Sequence, residues 1–214
     1  MGKDLVILGA GGFAREASLL VEEINSAKGA AWNLLGFIDE DSSKWGTNLR
    51  GYEVLGGFEV LGELSPAAEV ICVVGDPEAK KKMVQEALKQ NRKFASLVHP
   101  GVDISSDVEI REGVLINKGV ILTTNIIIGE HVSINPACGI GHDVVIGAYS
   151  TLMWRVNISG NVVLEEGCTL GTGSTVLQGK RVGKGSRVGA GAVVTRDLPA
   201  GCTATGVPAE VRRD

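Results

Sequence analysis

From Val98 to Val194 an aliphatic residue recurs at every sixth position, and the register never slips. The positions are Val98, Ile104, Ile110, Ile116, Leu122, Ile128, Ile134, Ile140, Ile146, Leu152, Ile158, Leu164, Leu170, Val176, Val182, Val188 and Val194. A period of six fits neither an amphipathic helix nor a two-faced strand, and it predicts a hexapeptide β-helix in which each buried aliphatic stacks on another coil. Short sandwich strands are the alternative, which a register of this length disfavours.

Three hexads for each triangular coil would give between five and six coils. With strands about 4.8 Å apart, the coils would stack to about 25 Å. Many of the aliphatic positions are followed by glycine, as in Gly129, Gly141 and Gly171, which suits tight corners. Because a coil cannot bury its own apolar face, we expect the stack to fold together and its ends to be capped.

The N-terminal pattern is different, with a strand, a glycine turn and a helix in succession. Asp4–Leu8 is an apolar run, residues 9–14 read Gly-Ala-Gly-Gly-Phe-Ala, and Arg15–Val21 has helical spacing. A G-x-G-x-x-A turn in this context lets a phosphate approach the backbone and the helix N-terminus. An ordinary structural turn is the alternative.

A second strand, Leu34–Ile38, ends in Asp39, a position where such folds often bind the ribose or base of a nucleotide. Because Glu40 and Asp41 follow, a solvated turn is an equal alternative. Residues 42–68 are interpreted as loop-like, with a short strand near Tyr52–Leu55.

A third strand is predicted at Glu69–Val74, and a helix at Glu78–Asn91 with Asp76 and Pro77 at its start. Residues 1–95 are therefore predicted to form a small Rossmann-like βαβαβ unit, and residues 96–214 the β-helix with a C-terminal cap. A full dinucleotide fold uses two such halves. Residues 1–95 have room for only one such half. This size favours the binding of a mononucleotide and argues against a dehydrogenase.

Composition excludes several classes of function. The 214 residues carry a net charge of −4 without a basic tract, so nucleic-acid binding has no support. No apolar run reaches the ~20 residues of a membrane span, and since Met1–Asp4 leads directly into a predicted strand we expect no signal peptide. The scattered cysteines Cys72, Cys138, Cys168 and Cys202 are interpreted as buried small hydrophobes in a reducing cytoplasm.

The three histidines differ in their surroundings. His99 precedes Pro100 and is expected to be structural, whereas His131 is expected to lie exposed on a corner. His142 lies two residues after a core aliphatic and beside Asp143, so it is a candidate proton acceptor. Only two histidines lie inside the repeat and no cysteine cluster joins them, so we expect no metal.

The chain resembles the bacterial sugar acyltransferases of the sialic acid O-acetyltransferase and nucleotide-sugar N-acetyltransferase group. The segments that carry the resemblance are Gly9–Glu16, Gly36–Asp39, Val74–Pro77, Leu97–Pro100, Ile134-Asn135, Gly141–Asp143, Gly189–Val194 and Gly206–Ala209. The resemblance implies a left-handed β-helix that forms a homotrimer, with acetyl-CoA along the coils between subunits. It also implies that the N-terminal domain binds a nucleotide and delivers its sugar.

The resemblance also implies roles for individual residues. His142 would be the general base, Asp143 would orient it, and Asn135 would be a nearby polar contact. The backbone at Gly160, Gly173 and Ala190 would contact the pantetheine arm of acetyl-CoA. The nucleotide sugar would be held by Gly9, Gly11, Gly12, Phe13, Asp39 and Gly75.

Two positions depart from the family pattern. Thr151 stands where some members carry a second histidine, and Phe13 stands where several carry a histidine in the glycine loop. Trp154 and Arg155 are bulky for a coil corner, so we expect them in the acceptor pocket, at the trimer interface or on an exposed rim. Cys138, four residues before His142, leaves a covalent route open.

The leading hypothesis is an acetyl-CoA-dependent transferase that N-acetylates a nucleotide-linked amino sugar for surface polysaccharide or glycan synthesis. His142 would act as the base in a direct attack on the thioester. O-acetylation of a sialic-acid-type sugar is the first alternative. A non-catalytic trimeric scaffold and a zinc hydratase are alternatives of other classes.

Overall fold

The computed structural model describes residues 2–212. The chain divides into two compact units, Met1–Pro100 and Gly101–Asp214, and each is described by itself. No helix within the described residues is long and apolar enough to cross a membrane. The assignment of a function to each unit, with a boundary after residue 95, stays a prediction.

The first unit is a five-stranded α/β sheet in the order β3-β4-β2-β1-β5. The sheet and its helices comprise β1 (Lys3–Leu8), α1 (Gly12–Lys28), β2 (Trp32–Ile38), β3 (Asn48–Leu49), β4 (Tyr52–Gly56), β5 (Glu69–Cys72) and α2 (Pro77–Lys89). A short strand outside this sheet, β6 (Leu97–Val98), ends the unit. β1 pairs parallel with β2 and β5, and β2 pairs parallel with β4. The four apolar residues Leu5–Leu8 are fully buried, as expected for a strand covered on both faces.

The α/β class of the first unit is confirmed, and residues 42–68 form no α-helix and contain the short strand β4, as predicted. Between β2 and β5 the chain forms the antiparallel pair β3–β4 and two 3₁₀ helices, Ser42–Lys44 and Phe58–Glu63, where a βαβαβ unit would have an α-helix. The second α-helix follows β5. Asp76 caps it as predicted, accepting hydrogen bonds from the N–H groups of Glu78 and Ala79 at 3.1 and 3.0 Å.

The second unit is a left-handed parallel β-helix with three faces. Face 1 contains Val108–Ile110, Ile126–Ile128, Val145–Ile146, Val163–Leu164 and Arg181–Val182. Face 2 contains Leu115–Ile116, Ser133–Ile134, Thr151–Leu152, Thr169–Leu170, Arg187–Val188, Thr203–Thr205 and the antiparallel strand Glu210–Val211. Face 3 contains Ile121–Leu122, Gly139–Ile140, Asn157–Ile158, Thr175–Val176 and Val193–Val194.

The strands pair in a register of eighteen residues, which is three hexads for each coil. Ile128 pairs with Ile146 on face 1, and Ile140 pairs with Ile158 on face 3. Every hexad aliphatic from Ile128 to Val194 is at most 3% exposed. A second position, two residues earlier, also points inward and holds small residues such as Val144. The hexad count did not reveal this second inward position.

The hexad prediction was wrong at one position near its start. Ile104 is 46% exposed, and the segment from residue 99 to 107 contains no strand. Within the second unit the first strand along the chain is Val108–Ile110, and Val108 pairs with Ile126 one coil later. A sequence period shows which residues repeat, but it does not show which of them lie in paired strands.

The corners between faces share one backbone feature. We name the corner from face 1 to face 2 edge 1, from face 2 to face 3 edge 2, and from face 3 to face 1 edge 3. At every sixth residue from Gly113 to Gly191 the backbone has a positive φ. Seven consecutive corners use residues other than glycine, namely Asn125, His131, Ala137, Asp143, Tyr149, Arg155 and Asn161.

Glycine directly after a hexad aliphatic has a different role, because it lets neighbouring coils approach. A Cβ on Gly129 would lie 2.7 Å from the backbone nitrogen of Ala148, and one on Gly141 would lie 2.7 Å from that of Gly160. These glycines are therefore required by coil spacing rather than by backbone dihedral angles.

Replacing Ala137, at φ +60, with glycine should stabilise the protein by about 1 kcal/mol, because the left-handed conformation costs an L-residue energy that glycine does not pay. Denaturant unfolding followed by circular dichroism would measure the change. Gly185→Ala is the matched control: its φ is +69, a Cβ there would meet nothing within 4 Å, and the change should destabilise by a similar amount. Equal midpoints for both variants would contradict this account of the corners.

Candidate functional site

All six residues predicted to hold a nucleotide sugar line one cleft in the first unit. The cleft has a volume of about 370 Å³. Its lining residues are Gly9, Ala10, Gly11, Gly12, Phe13, Asp39, Glu40, Lys44, Val73, Val74, Gly75 and Met83. The carboxyl ends of β1, β2 and β5 therefore meet the start of α1 at the place where parallel α/β sheets bind ligands.

The glycines of the loop after β1 serve different purposes. Gly9 has φ +106, which only glycine adopts readily, and its N–H donates to the carbonyl of Ile38 at 2.7 Å. Gly11 has φ −96, and a Cβ there would meet nothing within 4 Å. Neither dihedral strain nor internal packing requires glycine at residue 11. The missing side chain instead leaves the N-terminus of α1 open to the cleft.

Asp39 is held inside the cleft instead of lying on a solvated turn. Its side chain is 14% exposed, and Oδ2 accepts a hydrogen bond from the N–H of Ala10 at 2.7 Å. The Lys44 ammonium lies 3.1 Å from both carboxylate oxygens. The carboxylate is therefore fixed at the end of β2 with a cation beside it. Lys44 was not singled out from the sequence, because it lies in the segment interpreted as a loop.

His142 lies on edge 3 of the β-helix, where its side chain is half exposed. Its Nδ1 donates to Oδ2 of Asp143 at 2.7 Å. Asp143 adopts φ +58, a conformation that aspartate tolerates better than most residues. Neighbours in sequence on a strand would point to opposite sides, so this corner geometry is what brings the two side chains together.

Asn125 completes this cluster from the preceding coil. Its Nδ2 donates to Oδ1 of Asp143 at 2.6 Å, and the two residues are eighteen apart in sequence, at the same corner of consecutive coils. The hydrogen bond from Asn125, and after it that from His142, lowers the pKa of Asp143. Asn125 was missed from the sequence, although the eighteen-residue spacing is a signal that could have identified it.

Gly160 forms the floor of the cluster. A Cβ on Gly160 would clash with Nε2 of His142 and would lie 2.5 Å from Cε1. The imidazole therefore lies across the glycine of the next coil, with Asp143 at its Nδ1 side. The family resemblance implies that Gly160 contacts the pantetheine arm, but the sequence did not predict its proximity to His142.

The other predicted residues of the β-helix lie on edge 2, away from the imidazole. Asn135 is 4% exposed, and its Nδ2 donates to the carbonyl of Leu152 at 2.9 Å. Gly173 and Ala190 are exposed on the same edge, in later coils. Within one chain the structure thus brings His142, Asp143 and Gly160 together, and it does not bring Asn135, Gly173 or Ala190 to them.

Cys138 is poorly suited to a covalent mechanism. It is 1% exposed, its Sγ donates to the carbonyl of Met153 at 3.0 Å, and burial raises the pKa of the thiol to about 11. Cys72 and Cys168 are buried as expected, whereas Cys202 is only partly buried. At neutral pH the Cys138 thiol stays protonated and inside the coil.

The remaining histidines and the departures from the family pattern have clear positions. His131 was expected to be exposed, and this was wrong: it is 3% exposed and stacks on Tyr149 one coil later, with ring centroids 5.1 Å apart. His99 lies 3.6 Å from a carboxylate oxygen of Glu23.

Thr151 is fully buried, whereas Trp154 is 46% exposed. Like Trp154, Arg155 is exposed at this corner of edge 2.

A bound metal ion would need several ligand side chains that lie close together. Within residues 2–212, no group of three or more histidine, cysteine, aspartate or glutamate side chains could hold a metal ion.

The first unit matches a known protein family. The family model described as the PglD N-terminal domain matches residues 4–87. A comparison with curated proteins found no match.

Solved structures match almost the whole chain. A mutant of perosamine N-acetyltransferase from Caulobacter crescentus, in complex with CoA and GDP-perosamine, is 28% identical with a TM-score of 0.88, and the match covers 99% of this chain and 97% of that chain. WeeI from Acinetobacter baumannii is 30% identical, with a TM-score of 0.85 and coverage of 97% and 99%. The acetyltransferase domain of PglB from Neisseria gonorrhoeae, in complex with acetyl coenzyme A, is 26% identical, with a TM-score of 0.85 and coverage of 99% and 100%.

Gly160→Ala should displace the imidazole of His142 and break its hydrogen bond to Asp143, because the new Cβ would occupy the space of the ring. A crystal structure of the variant would measure the displacement. Gly139→Ala is the matched control, since its Cβ would meet only the Oδ1 of Asn157 at an ordinary 3.5 Å. An unmoved imidazole in the first variant would show that Gly160 is not the floor of the site.

Proposed function

The chain belongs to the sugar acetyltransferase family of perosamine N-acetyltransferase, PglB and WeeI, and we propose that it transfers the acetyl group of acetyl-CoA to the amine of a nucleotide-linked amino sugar. The observation that carries the proposal is the His142–Asp143 pair on edge 3, with a 2.7 Å hydrogen bond at Nδ1. The nucleotide cleft of the first unit supports it independently.

The pair has the geometry of a general base. With Nδ1 donating to Asp143, the neutral imidazole carries its lone pair on Nε2, which can accept a proton from the acceptor amine. As the amine attacks the thioester carbonyl, a C–N bond forms and the carbonyl oxygen becomes an oxyanion. Collapse of this intermediate breaks the C–S bond, and the CoA thiolate takes up the proton held by His142. Asp143 stabilises the imidazolium between these steps.

Direct attack is favoured over a covalent acyl-enzyme. An acyl-enzyme would need a nucleophile beside the base, and the thiol of Cys138 is buried, hydrogen-bonded and protonated at neutral pH. The half-exposed imidazole of His142 leaves room for both substrates to approach Nε2.

The cleft of the first unit fits the nucleotide half of the acceptor. The α1 N-terminus offers backbone N–H groups to a phosphate, and Gly11 keeps the approach open. Asp39 can accept hydrogen bonds from a ribose or a base, and Lys44 adds a positive charge to the lining of the cleft, where a diphosphate could contact it. These contacts support the binding of a mononucleotide-linked sugar, as in the GDP-perosamine complex of the Caulobacter crescentus enzyme.

N-acetylation is preferred to O-acetylation because the perosamine relative, whose match covers 99% of this chain, is an N-acetyltransferase. The ordered His142–Asp143–Asn125 cluster argues for a working enzyme rather than a scaffold. We place the reaction in surface polysaccharide or glycan synthesis. The cytoplasm is the proposed location, because the four cysteines are free thiols, which suit a reducing compartment.

Release of the CoA thiol should occur when the protein is given acetyl-CoA and one of a panel of UDP-, GDP- and dTDP-linked amino sugars. His142→Asn should lower kcat by about 100-fold or more, the contribution typical of a general base. Nucleotide-linked sugars without an amine, together with free sialic acid, are the controls that separate N- from O-acetylation. Turnover of similar rate in the His142 variant would contradict its role as the base.

We further propose that the active enzyme is a homotrimer. Gly160 lies on edge 3, whereas Gly173 and Ala190 lie on edge 2 of the same chain. If all three contact one pantetheine arm, edge 3 of one copy must face edge 2 of another. A ring of three copies repeats this heterologous contact and closes it.

Face 1 carries an apolar stripe beside edge 3 that such a contact would bury. Ile127, Val145 and Val163 are neighbours on adjacent strands, and the first two are 37% and 36% exposed. Apolar residues aligned on three consecutive coils form a continuous patch of the kind that interfaces cover. Val145 in this patch lies three residues after His142, so burying the patch would bring another copy next to edge 3.

Light scattering should give the wild-type protein about three times the 22.3 kDa mass of one chain, and Ile127→Glu should shift it toward the single-chain mass because a charge would be buried in the interface. Ile121→Glu is the matched control, since Ile121 is 66% exposed on face 3. A trimer that survives the first change, or dissociates only with the second, would contradict the placement of the interface on face 1.

A further inference from the structure

We propose that Asn125 is a positioning residue for acetyl transfer, because it holds the Asp143 carboxylate in the orientation that selects the proton-accepting tautomer of His142. The geometry rests on two hydrogen bonds to one carboxylate. Asn125 Nδ2 donates to Oδ1 of Asp143 at 2.6 Å, and His142 Nδ1 donates to Oδ2 of Asp143 at 2.7 Å. Each oxygen therefore has its own donor.

The position of Asn125 follows from the coil. Residues 125, 143 and 161 are the left-handed residues of edge 3 on successive coils, with φ of 53°, 58° and 59°. Because residues 125 and 143 occupy the same corner of successive coils, their side chains come within hydrogen-bond distance of each other. The backbone N–H of Asp143 also donates to the carbonyl of Thr124 at 3.2 Å, which fixes the two corners against each other.

Without Asn125 the carboxylate would lose one of its two anchors. Asp143 is 44% exposed, so with the bond to His142 alone its carboxylate could rotate toward water. The amide of Asn125 donates to Oδ1 and so fixes the orientation of the carboxylate, in which Oδ2 faces the imidazole. The imidazole then keeps its proton on Nδ1, and Nε2 stays free to accept the proton of the acceptor amine.

The preceding coil supports Asn125 in turn. Asp107, at the corresponding corner, accepts hydrogen bonds from Ser105 Oγ and Thr124 Oγ1. Thr124 precedes Asn125, so the corner is held from both sides. The amide is thus aimed by a fixed backbone, which is what a positioning role requires.

The test uses two isosteric substitutions on the same edge, Asn125→Asp and Asn161→Asp. Aspartate keeps the size of asparagine and its tolerance of a positive φ, so both variants should fold. Both add one negative charge a single coil away from Asp143. Only the change at residue 125 removes the amide donor that Asp143 accepts from. Asn125→Ala provides a third variant that removes the donor without adding charge.

We expect Asn125→Asp and Asn125→Ala to lower kcat by roughly 10-fold or more, the effect of losing one hydrogen bond to a charged group, with both KM values within about 2-fold of wild type. Asn161→Asp should keep the wild-type kcat. A rise in KM at constant kcat would overturn the proposal, because Asn125 would then act in binding.

The second readout is ¹⁵N NMR of protein labelled at its three histidines, recorded in alkaline buffer where an imidazole is neutral. In wild type the His142 signals should be those of an imidazole with its proton on Nδ1, and in the Asn125 variants they should move toward a mixture of tautomers. Unchanged signals in the Asn125 variants would overturn the proposal.

The kinetic readout rests on the proposed function, whereas the NMR readout does not. A wild-type protein without transferase activity but with the expected NMR change would reject the function and keep the positioning of His142. An active wild-type protein whose Asn125 variants match it in kcat and in the NMR spectrum would reject the positioning role alone.

Discussion

Stacking of aliphatic side chains from one coil onto the next is the constraint on which the second unit depends. Because each coil contains eighteen residues, the buried hexads fix the register of every strand. The register in turn decides which corner residues lie above one another. Asn125 meets Asp143 for this reason alone, although eighteen residues separate them. The arrangement around His142 is thus a consequence of the same packing that forms the core.

The corners of the β-helix combine an unfavourable left-handed backbone conformation with side chains that are exposed at the edges. A left-handed residue at each corner lets the chain turn within a few residues, and glycine would meet that need at least cost. Seven consecutive corners nevertheless carry side chains there, and one of them is Asp143. Strained backbone often accompanies functional side chains, because only a strong surrounding structure can maintain it. Here the stacked aliphatic core provides that support.

The two units recognise their proposed ligands in different ways. The cleft of the first unit relies on backbone, with glycines at residues 9 and 11 and a helix N-terminus, and one carboxylate paired with Lys44. Edge 3 of the second unit relies on side chains that order one another, with Gly160 providing space for the imidazole. Phosphates suit dispersed N–H donors, whereas proton transfer needs one side chain held in one tautomer.

The sequence by itself determined the repeat and the α/β unit, and it marked candidate residues for the proposed chemistry. The hexad period identifies the β-helix because a buried position must recur once for each face. The glycine loop and Asp39 were candidates for a nucleotide site because both follow buried strands, and a structural or solvated turn stayed open as the alternative. His142 stood out because an acid follows it directly. Such signals are local or periodic, so they can be read without knowing the fold.

Only the tertiary structure decided what depends on contacts between coils and edges. The period did not show that Ile104 lies outside the stack, that His131 is buried against Tyr149, or that Gly160 underlies the imidazole. It did not show that Asn135 lies on a different edge from His142. These are relations between residues of different coils or different corners. They follow from the strand register and from the direction of the side chain at each corner. Neither the register nor that direction can be predicted from the type of a single residue.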